Sequence, residues 1–386
     1  MKSIASAPGK IILFGEHFVV HGTPAILAAI DKRVTVTSTI AEASYTEGEH
    51  NNDIAVSTLK INSQLGTIEI PMYSDKEDDY VTPNLFMLTR GLFGGFTPKS
   101  FSEHPAYPSI KSELRPFVYL AAKLSYFTIS KSPDVRHGAE KMLLHPDGLE
   151  ITIDSDIPIG VGLGSSSACC VAAAASLYAL FCEKDGGTKL KFSQENETKD
   201  ILSLAKEAEK TIFPDSSGAD CTVCTYGGMI EHPSIEKIDS TFDLNLLIAN
   251  SMIPHSTKNS VEKVSKFKEN NEERFSQLCD LENGLIDEVI TAMKNNDATT
   301  FGLKMSENQK YLEEIQVSND TLRGMISSLK EISLGTKITG AGDGGCIIAL
   351  VKDENMDKVP ALLPKDKECF SAKIDTKGVV WSTIEE

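Results

Sequence analysis

The chain has few positive charges for its size, and this limits the partners that it can have. Its 386 residues include 38 lysines and arginines against 55 aspartates and glutamates, which gives a formal net charge of −17. A surface of that sign repels nucleic acid and anionic membranes, so neither is expected as the main partner. Any ligand that carries phosphate must therefore be attracted by local groups, because the overall field opposes it.

The sequence also lacks an apolar run long enough to span a bilayer, since the longest, at 168–181, is short and rich in alanine. Lys2 is not followed by the apolar segment of a secretory signal. We therefore expect a cytoplasmic protein whose eight cysteines stay reduced. Cys221 and Cys224 form a Cys-x-x-Cys pair without a second pair nearby, so neither a metal site nor a redox role is favoured.

The order of predicted elements indicates an α+β protein with two domains. The first half is rich in β-strand patterns, and helical and strand patterns mix after a polar stretch at 231–240. This order argues against a doubly wound parallel sheet. We place the domains at 1–232 and 233–386. The predicted strands are 11–14, 33–40, 57–61, 67–70, 149–153, 242–249 and 346–351, and the predicted helices are 114–126, 166–182, 200–212, 258–295, 297–314 and 318–330.

The segment 158–168 reads Pro-Ile-Gly-Val-Gly-Leu-Gly-Ser-Ser-Ser-Ala and leads directly into an apolar helix. Three glycines leave the backbone without side chains, so that a ligand can approach it. The start of the helix offers free N–H groups and the positive end of its dipole. This pattern predicts a site for phosphate, although it is not a Walker A loop. A plain turn capped by serine is the alternative interpretation.

A second glycine cluster, at 337–346, reads Lys-Ile-Thr-Gly-Ala-Gly-Asp-Gly-Gly-Cys. Gly340, Gly342 and Gly345 satisfy Gly-x-Gly-x-x-Gly, but a dinucleotide site requires a helix after the loop and a strand pattern follows here. We expect a tight loop whose backbone approaches a ligand or the first glycine loop. A flexible turn is the alternative.

Two further clusters hold polar side chains that could carry chemistry. In 7–17, Lys10 stands where a strand begins, and Glu16 and His17 follow a glycine at its far end. In 216–220, Asp220 comes shortly after the predicted helix that contains Glu209. Taken one at a time, each has an ordinary structural explanation. Lys10 is explained as a solvated lysine, Glu16 with His17 as a surface hydrogen bond, and Asp220 as a helix cap.

Taken together, the four clusters resemble the GHMP small-molecule kinases, which phosphorylate small metabolites from ATP. The matching motifs occur in the family's order: Ala-Pro-Gly-Lys at 7–10, Pro-x-Gly-x-Gly-Leu-Gly-Ser-Ser at 158–166, Ser-Gly-x-Asp at 217–220 and Thr-Gly-Ala-Gly-x-Gly-Gly-Cys at 339–346. The resemblance implies a β-rich N-terminal domain with helices, a ferredoxin-like C-terminal α/β domain and an active site in the cleft between them.

The resemblance also implies roles for particular residues. Asp220 would take the proton of the substrate hydroxyl, and Lys10 beside it would stabilise the negative charge that develops. Ser166 and Glu209 would hold Mg²⁺, a cation that prefers oxygen ligands. The residues that would bind ATP are Pro158, Gly160, Gly162, Leu163, Gly164, Ser165, Ser166 and Ser167.

Within the family, residues 9–22 most resemble the members that phosphorylate mevalonate on its primary 5-hydroxyl, a step in isoprenoid precursor synthesis. The small-molecule substrate would then contact Lys10, Glu16, His17, Asp220, Thr257, Gly340 and Ala341. A homodimer is left open. So are two other functions: a kinase for another small hydroxy acid or phosphomevalonate, and a catalytically silent binding protein, which the presence of Lys10, Ser166, Glu209 and Asp220 disfavours.

Three departures from the family pattern bear on the substrate. Asp343 stands where the family has glycine, which adds a negative charge to a loop expected near phosphate. His255 replaces an arginine, so a permanent cation is missing from the expected carboxylate site. Residues 213–218 also differ from the usual sequence before the catalytic aspartate.

Overall fold

The computed structural model describes residues 2–41, 44–46, 54–64, 66–73, 97–103, 110–130, 148–158, 160–182, 194–238, 244–254 and 257–384. His255 lies outside these residues. The described strands are β1 (Lys2–Phe14), β2 (Ala25–Ala41), β3 (Ser44–Thr46), β4 (Ile54–Ser63), β5 (Gly66–Tyr73), β6 (Gly148–Ser155), β7 (Met229–His232), β8 (Glu236–Lys237), β9 (Asn245–Asn250), β10 (Ser333–Ile338), β11 (Cys346–Val351), β12 (Glu368–Lys373) and β13 (Val380–Ile384).

The described α-helices are α1 (Pro98–Ser102), α2 (Arg115–Ser130), α3 (Ser165–Cys182), α4 (Gln194–Lys210), α5 (Ala219–Tyr226), α6 (Thr257–Asn270), α7 (Glu272–Lys294), α8 (Ala298–Glu314), α9 (Asp320–Leu329) and α10 (Val359–Leu362). Short 3₁₀ helices cover Phe18–His21, Ser112–Leu114 and Asp353–Lys358. No helix in the described part of the chain is both long and apolar enough to cross a membrane.

The N-terminal half and the last strand, β13, build one large sheet, with the order β13-β1-β2-β6-β4-β3 along its main path. Alternation along β2 places Val34 and Val36 in the core and leaves the threonines between and after them partly exposed. Helix α3 packs on β1 and β2, and Ser3 donates a hydrogen bond of 2.7 Å from Oγ to the Ser176 carbonyl. The alanine-rich stretch of α3 lets the helix approach the sheet closely.

The C-terminal half builds a second sheet of four strands, ordered β10-β11-β9-β12 and antiparallel throughout. This is the strand order of a ferredoxin-like domain, in which β9 and β11 occupy the centre. Helix α8 lies against β10 at Gly302 and Gly335. A Cβ at Gly335 would lie 1.9 Å from the Gly302 carbonyl oxygen, so this contact requires glycine.

The fold confirms the predicted α+β class, and the predicted strands fall on observed strands where the structure describes them. The single helix predicted at 258–295 is wrong. Two helices, α6 and α7, meet at Asn271, whose φ of −143° and ψ of 48° interrupt the helix. Glu272 and Glu273 then begin α7, where carboxylates favour the positive end of the helix dipole.

The domain limits 1–232 and 233–386 stay a prediction. The two sheets divide the chain near that point, with two exceptions: β8 pairs with β7, and β13 pairs with β1. Arg33 secures the return of the chain to the first sheet, since it contacts Asp375 and donates to the Gly378 carbonyl at 2.7 Å. The end of the described chain is thus part of the N-terminal sheet.

Candidate active site

Lys10 and Asp220 form an ion pair at the junction of β1 and α5. Their Nζ and Oδ2 atoms are 3.1 Å apart. Strand β1 fixes Lys10, whose side chain is 8% exposed, and the first turn of α5 carries Asp220, whose side chain is 35% exposed. Gly218 caps this helix with a φ of 74°, a conformation that glycine adopts readily. The Asp220 carboxylate is therefore accessible from outside, while the Lys10 ammonium next to it is buried.

The predicted phosphate loop wraps the backbone and side chain of Lys10. The Lys10 N–H donates to the Leu163 carbonyl at 2.9 Å. A Cβ at Gly164 would lie 2.6 Å from Cγ of Lys10, so only glycine permits this approach. A Cβ at Gly160 would meet no atom within 4 Å, which leaves the outer side of the loop open. The loop thus holds Lys10 on one side and offers free space on the other.

Glu209 lies 3% exposed near the start of α3 and contacts two hydroxyls. Ser167 donates to its Oε1 atom and Ser216 to its Oε2 atom. Glu209 thus contacts Ser167 and not the predicted ligand Ser166. Ser166 precedes Ser167 in the helix and is half-buried. Ser216 was not among the predicted site residues, although its place in the Ser-Ser-Gly-Ala-Asp motif was a signal.

Glu16 and His17 lie in the turn after β1 and contact the C-terminal domain. Lys337 of β10 donates to Glu16 Oε1, and both side chains are buried. The Nε2 atom of His17 is 2.9 Å from the Ala341 carbonyl oxygen. A carbonyl oxygen only accepts hydrogen bonds, so Nε2 carries the proton and Nδ1 is the unprotonated nitrogen of the neutral ring. Burial lowers the pKa of His17 and favours that neutral ring, although the Ala341 bond and the charge of Asp343 oppose the shift.

The second glycine loop approaches the first and also contacts the segment before α6. A Cβ at Gly340 would lie 4.0 Å from the Gly162 carbonyl oxygen, and the Gly345 N–H donates to the Ile253 carbonyl at 3.0 Å. Asp343 adopts a φ of 57°, so the turn tolerates aspartate in place of glycine. Its Oδ2 atom lies 2.7 Å from Nζ of Lys263 on α6.

The structure therefore brings most of the predicted site residues to one junction. Lys10, Asp220 and the 158–168 loop meet directly, and His17 meets Ala341. Thr257 is exposed at the first position of α6. Lys337 was not among the predicted site residues, although its position two residues before the predicted second glycine loop was an available signal.

The residues present fit a nucleotide triphosphate with Mg²⁺. The 158–164 loop has positive φ values at Gly160, Gly162 and Gly164 and leads into the N-terminus of α3, which favours anions. Carboxylate and hydroxyl oxygens, which Mg²⁺ prefers, are supplied by Glu209 and by Ser166. No cluster of three or more His, Cys, Asp or Glu side chains that could bind a metal occurs among the described residues. A cation here would complete its shell with oxygens of the phosphates and of water.

The chain matches two family models. The GHMP kinases N terminal domain matches residues 134–228, and the GHMP kinases C terminal domain matches residues 289–361. Mevalonate kinase of Arabidopsis thaliana is 30% identical over 98% of this chain and 99% of its own length. Mevalonate kinase of Schizosaccharomyces pombe is 30% identical over 91% of this chain and 83% of its own length.

Solved structures show the same fold. The Methanococcus jannaschii mevalonate kinase superposes with a TM-score of 0.69 at 24% identity, over 96% of this chain and 98% of that one. The L. major mevalonate kinase in complex with R-mevalonate gives a TM-score of 0.68 at 22% identity, over 96% of this chain and 95% of that one.

The chain belongs to the GHMP kinase family, with the two-domain fold of that family. Within it, mevalonate kinases from a plant and two archaea match nearly the whole chain at 30% identity. Membership of this kinase family implies ATP as the phosphoryl donor and a small molecule as the acceptor.

Proposed function

We propose that the protein transfers the γ-phosphoryl group of ATP to the primary 5-hydroxyl of (R)-mevalonate, giving 5-phosphomevalonate and ADP. The observation that carries the proposal is the Lys10–Asp220 pair, 3.1 Å apart, with the phosphate loop packed against Lys10. The full-length similarity to mevalonate kinases supports the choice of acceptor. The proposal also includes a cytoplasmic location in isoprenoid precursor synthesis. A homodimer stays a prediction.

Asp220 is the proposed general base. Its carboxylate is partly exposed, so a substrate hydroxyl can reach it, and it accepts the hydroxyl proton as the oxygen attacks the γ-phosphorus. The bond from the γ-phosphorus to the bridging oxygen of ADP breaks, and ADP leaves with that electron pair. The position of Asp220 in the first turn of a helix holds the carboxylate in a fixed orientation.

Lys10 is the proposed electrostatic partner of the reaction. Its ammonium faces the carboxylate of Asp220 and lies next to the loop that would hold the phosphates. Negative charge moves from the acceptor oxygen to the phosphoryl oxygens during the transfer, and a fixed ammonium stabilises that charge without reorganising. The close fit of Gly164 around the Lys10 stem keeps the ammonium in place.

The 158–167 loop is proposed to bind the triphosphate through its backbone N–H groups and the start of α3. Ser166 and Glu209 are the proposed Mg²⁺ ligands. When bound, Mg²⁺ neutralises charge on the phosphate oxygens. The hydroxyls of Ser167 and Ser216 orient the Glu209 carboxylate. The protein has a formal net charge of −17, so its overall electric field repels ATP. The loop, the helix start and the bound cation must therefore supply the attraction for the triphosphate.

His17, Glu16, Thr257 and the backbone of Gly340 and Ala341 are the proposed contacts for mevalonate. The bare Nδ1 atom of neutral His17 is an acceptor for a substrate hydroxyl. The bond from Nε2 to the Ala341 carbonyl fixes the ring and joins the turn after β1 to the second glycine loop. This bond thereby links the two sides of the proposed site.

The proposal is tested by ADP release with a panel of acceptors in the presence of ATP and Mg²⁺. The panel contains mevalonate, phosphomevalonate, homoserine, galactose and a mevalonate analogue without the carboxylate. The expected result is turnover with mevalonate far above the rest. Turnover with phosphomevalonate alone would replace the proposed substrate, and tight ATP binding without turnover on any acceptor would indicate a silent binding protein.

A further inference from the structure

A buried set of polar groups lies where the turn after β1 meets the C-terminal domain. It consists of Gly15, Glu16, Glu282, Asn308 and Lys337, here called the junction cluster. Glu282 and Asn308 come from α7 and α8, and Lys337 comes from β10. The three charged side chains are at most 2% exposed. None of Glu282, Asn308 or Lys337 has a role in the proposed reaction, so their burial requires another explanation.

Glu282 is the acceptor that holds the turn. Its Oε1 atom accepts the Gly15 backbone N–H at 2.9 Å. Asn308 donates from Nδ2 to both carboxylate oxygens, at 2.7 and 2.8 Å, which fixes the plane of the carboxylate. Glu282 is therefore the link between a C-terminal helix and the backbone that precedes Glu16 and His17.

The turn itself needs such support. Gly15 has a φ of 91°, and a Cβ there would lie 2.4 Å from the Pro24 carbonyl oxygen. His17 has a φ of 64°, an unfavourable value for a residue other than glycine. Backbone strain of this kind costs on the order of 1–3 kcal/mol and persists only where the surroundings fix it. The Gly15–Glu282 hydrogen bond is one contact that fixes the turn.

Stability alone is a poor reason to keep these charges in the core. Two buried carboxylates lie near the ammonium of Lys337: Glu16 is in contact with it, and Glu282 interacts with its charge without a direct bond. Burial raises the pKa of Glu282 to about 7, and the charge of Glu16 adds to that shift, while Asn308, Lys337 and the Gly15 N–H oppose it. Buried ionic groups can often be replaced by apolar ones without loss of stability. A positional role explains their presence better.

We propose that Glu282 is a positioning residue that sets the affinity of the site for its hydroxy-acid substrate by holding the turn that presents Glu16 and His17. Glu282 does not touch the substrate, and the inference rests on the proposed function of that turn. Losing the Gly15 bond frees the turn, moves the His17 ring from the Ala341 carbonyl and weakens substrate binding. The phosphate loop, held by Lys10, is unaffected.

The experiment compares Glu282→Gln with Glu282→Met. The glutamine carbonyl still accepts the Gly15 N–H. Its amide donates to the Asn308 Oδ1 atom, now without a partner, once the Asn308 amide group turns over to face it. Methionine has a similar volume, but its thioether is only a weak acceptor and carries no charge. In steady-state kinetics, we expect KM for mevalonate to rise about tenfold in Glu282→Met and to stay within about twofold of wild type in Glu282→Gln. KM for ATP should change by less than about twofold in both variants.

A purely structural role predicts either equal changes in KM for mevalonate and KM for ATP, or a lower melting temperature with both KM values unchanged. Either result would overturn the proposal. If Glu282→Met does not fold, Asn308→Ala serves instead, because it removes both bonds that orient the carboxylate. An unchanged KM for the acceptor in that variant would also overturn it. The rate of the wild type with mevalonate tests the proposed function separately. If the wild type uses another acceptor, the KM values of the variants and the wild type are compared with that acceptor instead.

Discussion

The Nζ atom of Lys10 lies 3.1 Å from the Oδ2 atom of Asp220, so a strand at the start of the chain and a helix at its middle supply one charge pair. The glycine loop before α3 packs on Lys10 and brings the predicted ATP site to the same place. An ammonium, a carboxylate and a loop that accepts phosphate are the groups that phosphoryl transfer to an alcohol requires.

Replacing Asp220 tests the proposed base. Asp220→Asn keeps the shape of the side chain but cannot accept the hydroxyl proton, so kcat should fall by about 10²–10⁴-fold. The affinity for ATP, measured by titration calorimetry without acceptor, should stay within about threefold. Asp215→Asn, at an exposed aspartate before the same helix, is the matched control and should keep full activity. An Asp220→Asn variant as active as wild type would remove this assignment.

Replacing Lys10 separates rate from affinity. Lys10→Met preserves the apolar stem that packs on Gly164 and removes the ammonium, so kcat should fall by about a hundredfold. The Kd for ATP should change much less than kcat. Lys330→Met, at an exposed lysine on the C-terminal domain, controls for the loss of a positive charge. A loss confined to ATP affinity would contradict the role given to Lys10.

The Lys263–Asp343 pair offers a test of the second glycine loop. Lys263→Met leaves Asp343 as an uncompensated negative charge near the proposed phosphate site, so KM for ATP should rise about twofold at low salt. The double variant Lys263→Met with Asp343→Asn should restore the wild-type KM. Because Lys263 is half-exposed, the effect should shrink as salt is raised. A rise that the second substitution does not reverse would show that the charge of Asp343 is not its cause.

The pH dependence of unfolding tests the burial of Glu282. Burial raises its pKa from 4.5 to about 7, so the folded protein keeps a proton that the unfolded chain releases between these values. Its contribution to stability is therefore largest below pH 4.5 and is lost as the pH rises through 7. Relative to Glu282→Gln, the free energy of unfolding of the wild type should fall by up to about 3 kcal/mol across that range.

The measurement is urea unfolding of both proteins between pH 4.5 and 8. Glu16 and Lys337, the charged neighbours of Glu282, are present in both proteins, so the difference between the curves reports mainly on residue 282. Parallel curves would show that Glu282 does not titrate in this range in the folded protein.

Local patterns predicted the parts of the site that depend on local chemistry. The glycines at 160, 162 and 164 each have positive φ, and α3 begins at Ser165, one residue from the predicted start. Alternation predicted β2, and the strand at 346–351 has the predicted bounds. The glycines of the loop, the alternation along β2 and the apolar run of β11 are local features that indicate these elements.

Other parts depend on contacts that no local pattern encodes. Glu282 stands four residues after Leu278 and three before Leu285, on the apolar stripe of its helix, but this spacing does not show which groups its carboxylate contacts. The break at Asn271 separates two segments that both favour helix, so the pattern predicted one. Glu16 was predicted to contact substrate, and its partner Lys337 follows from the packing of β10 against the turn.

The central claim is that this site phosphorylates the 5-hydroxyl of mevalonate with ATP. Its most direct test is ³¹P and ¹H NMR of the product formed by wild type and by Asp220→Asn with ATP, Mg²⁺ and mevalonate. We predict one new phosphate monoester coupled to the C5 protons, formed in step with ADP by the wild type and at least about 10²-fold more slowly by Asp220→Asn. A product phosphorylated elsewhere, or no product with mevalonate while another acceptor is converted, would contradict this account.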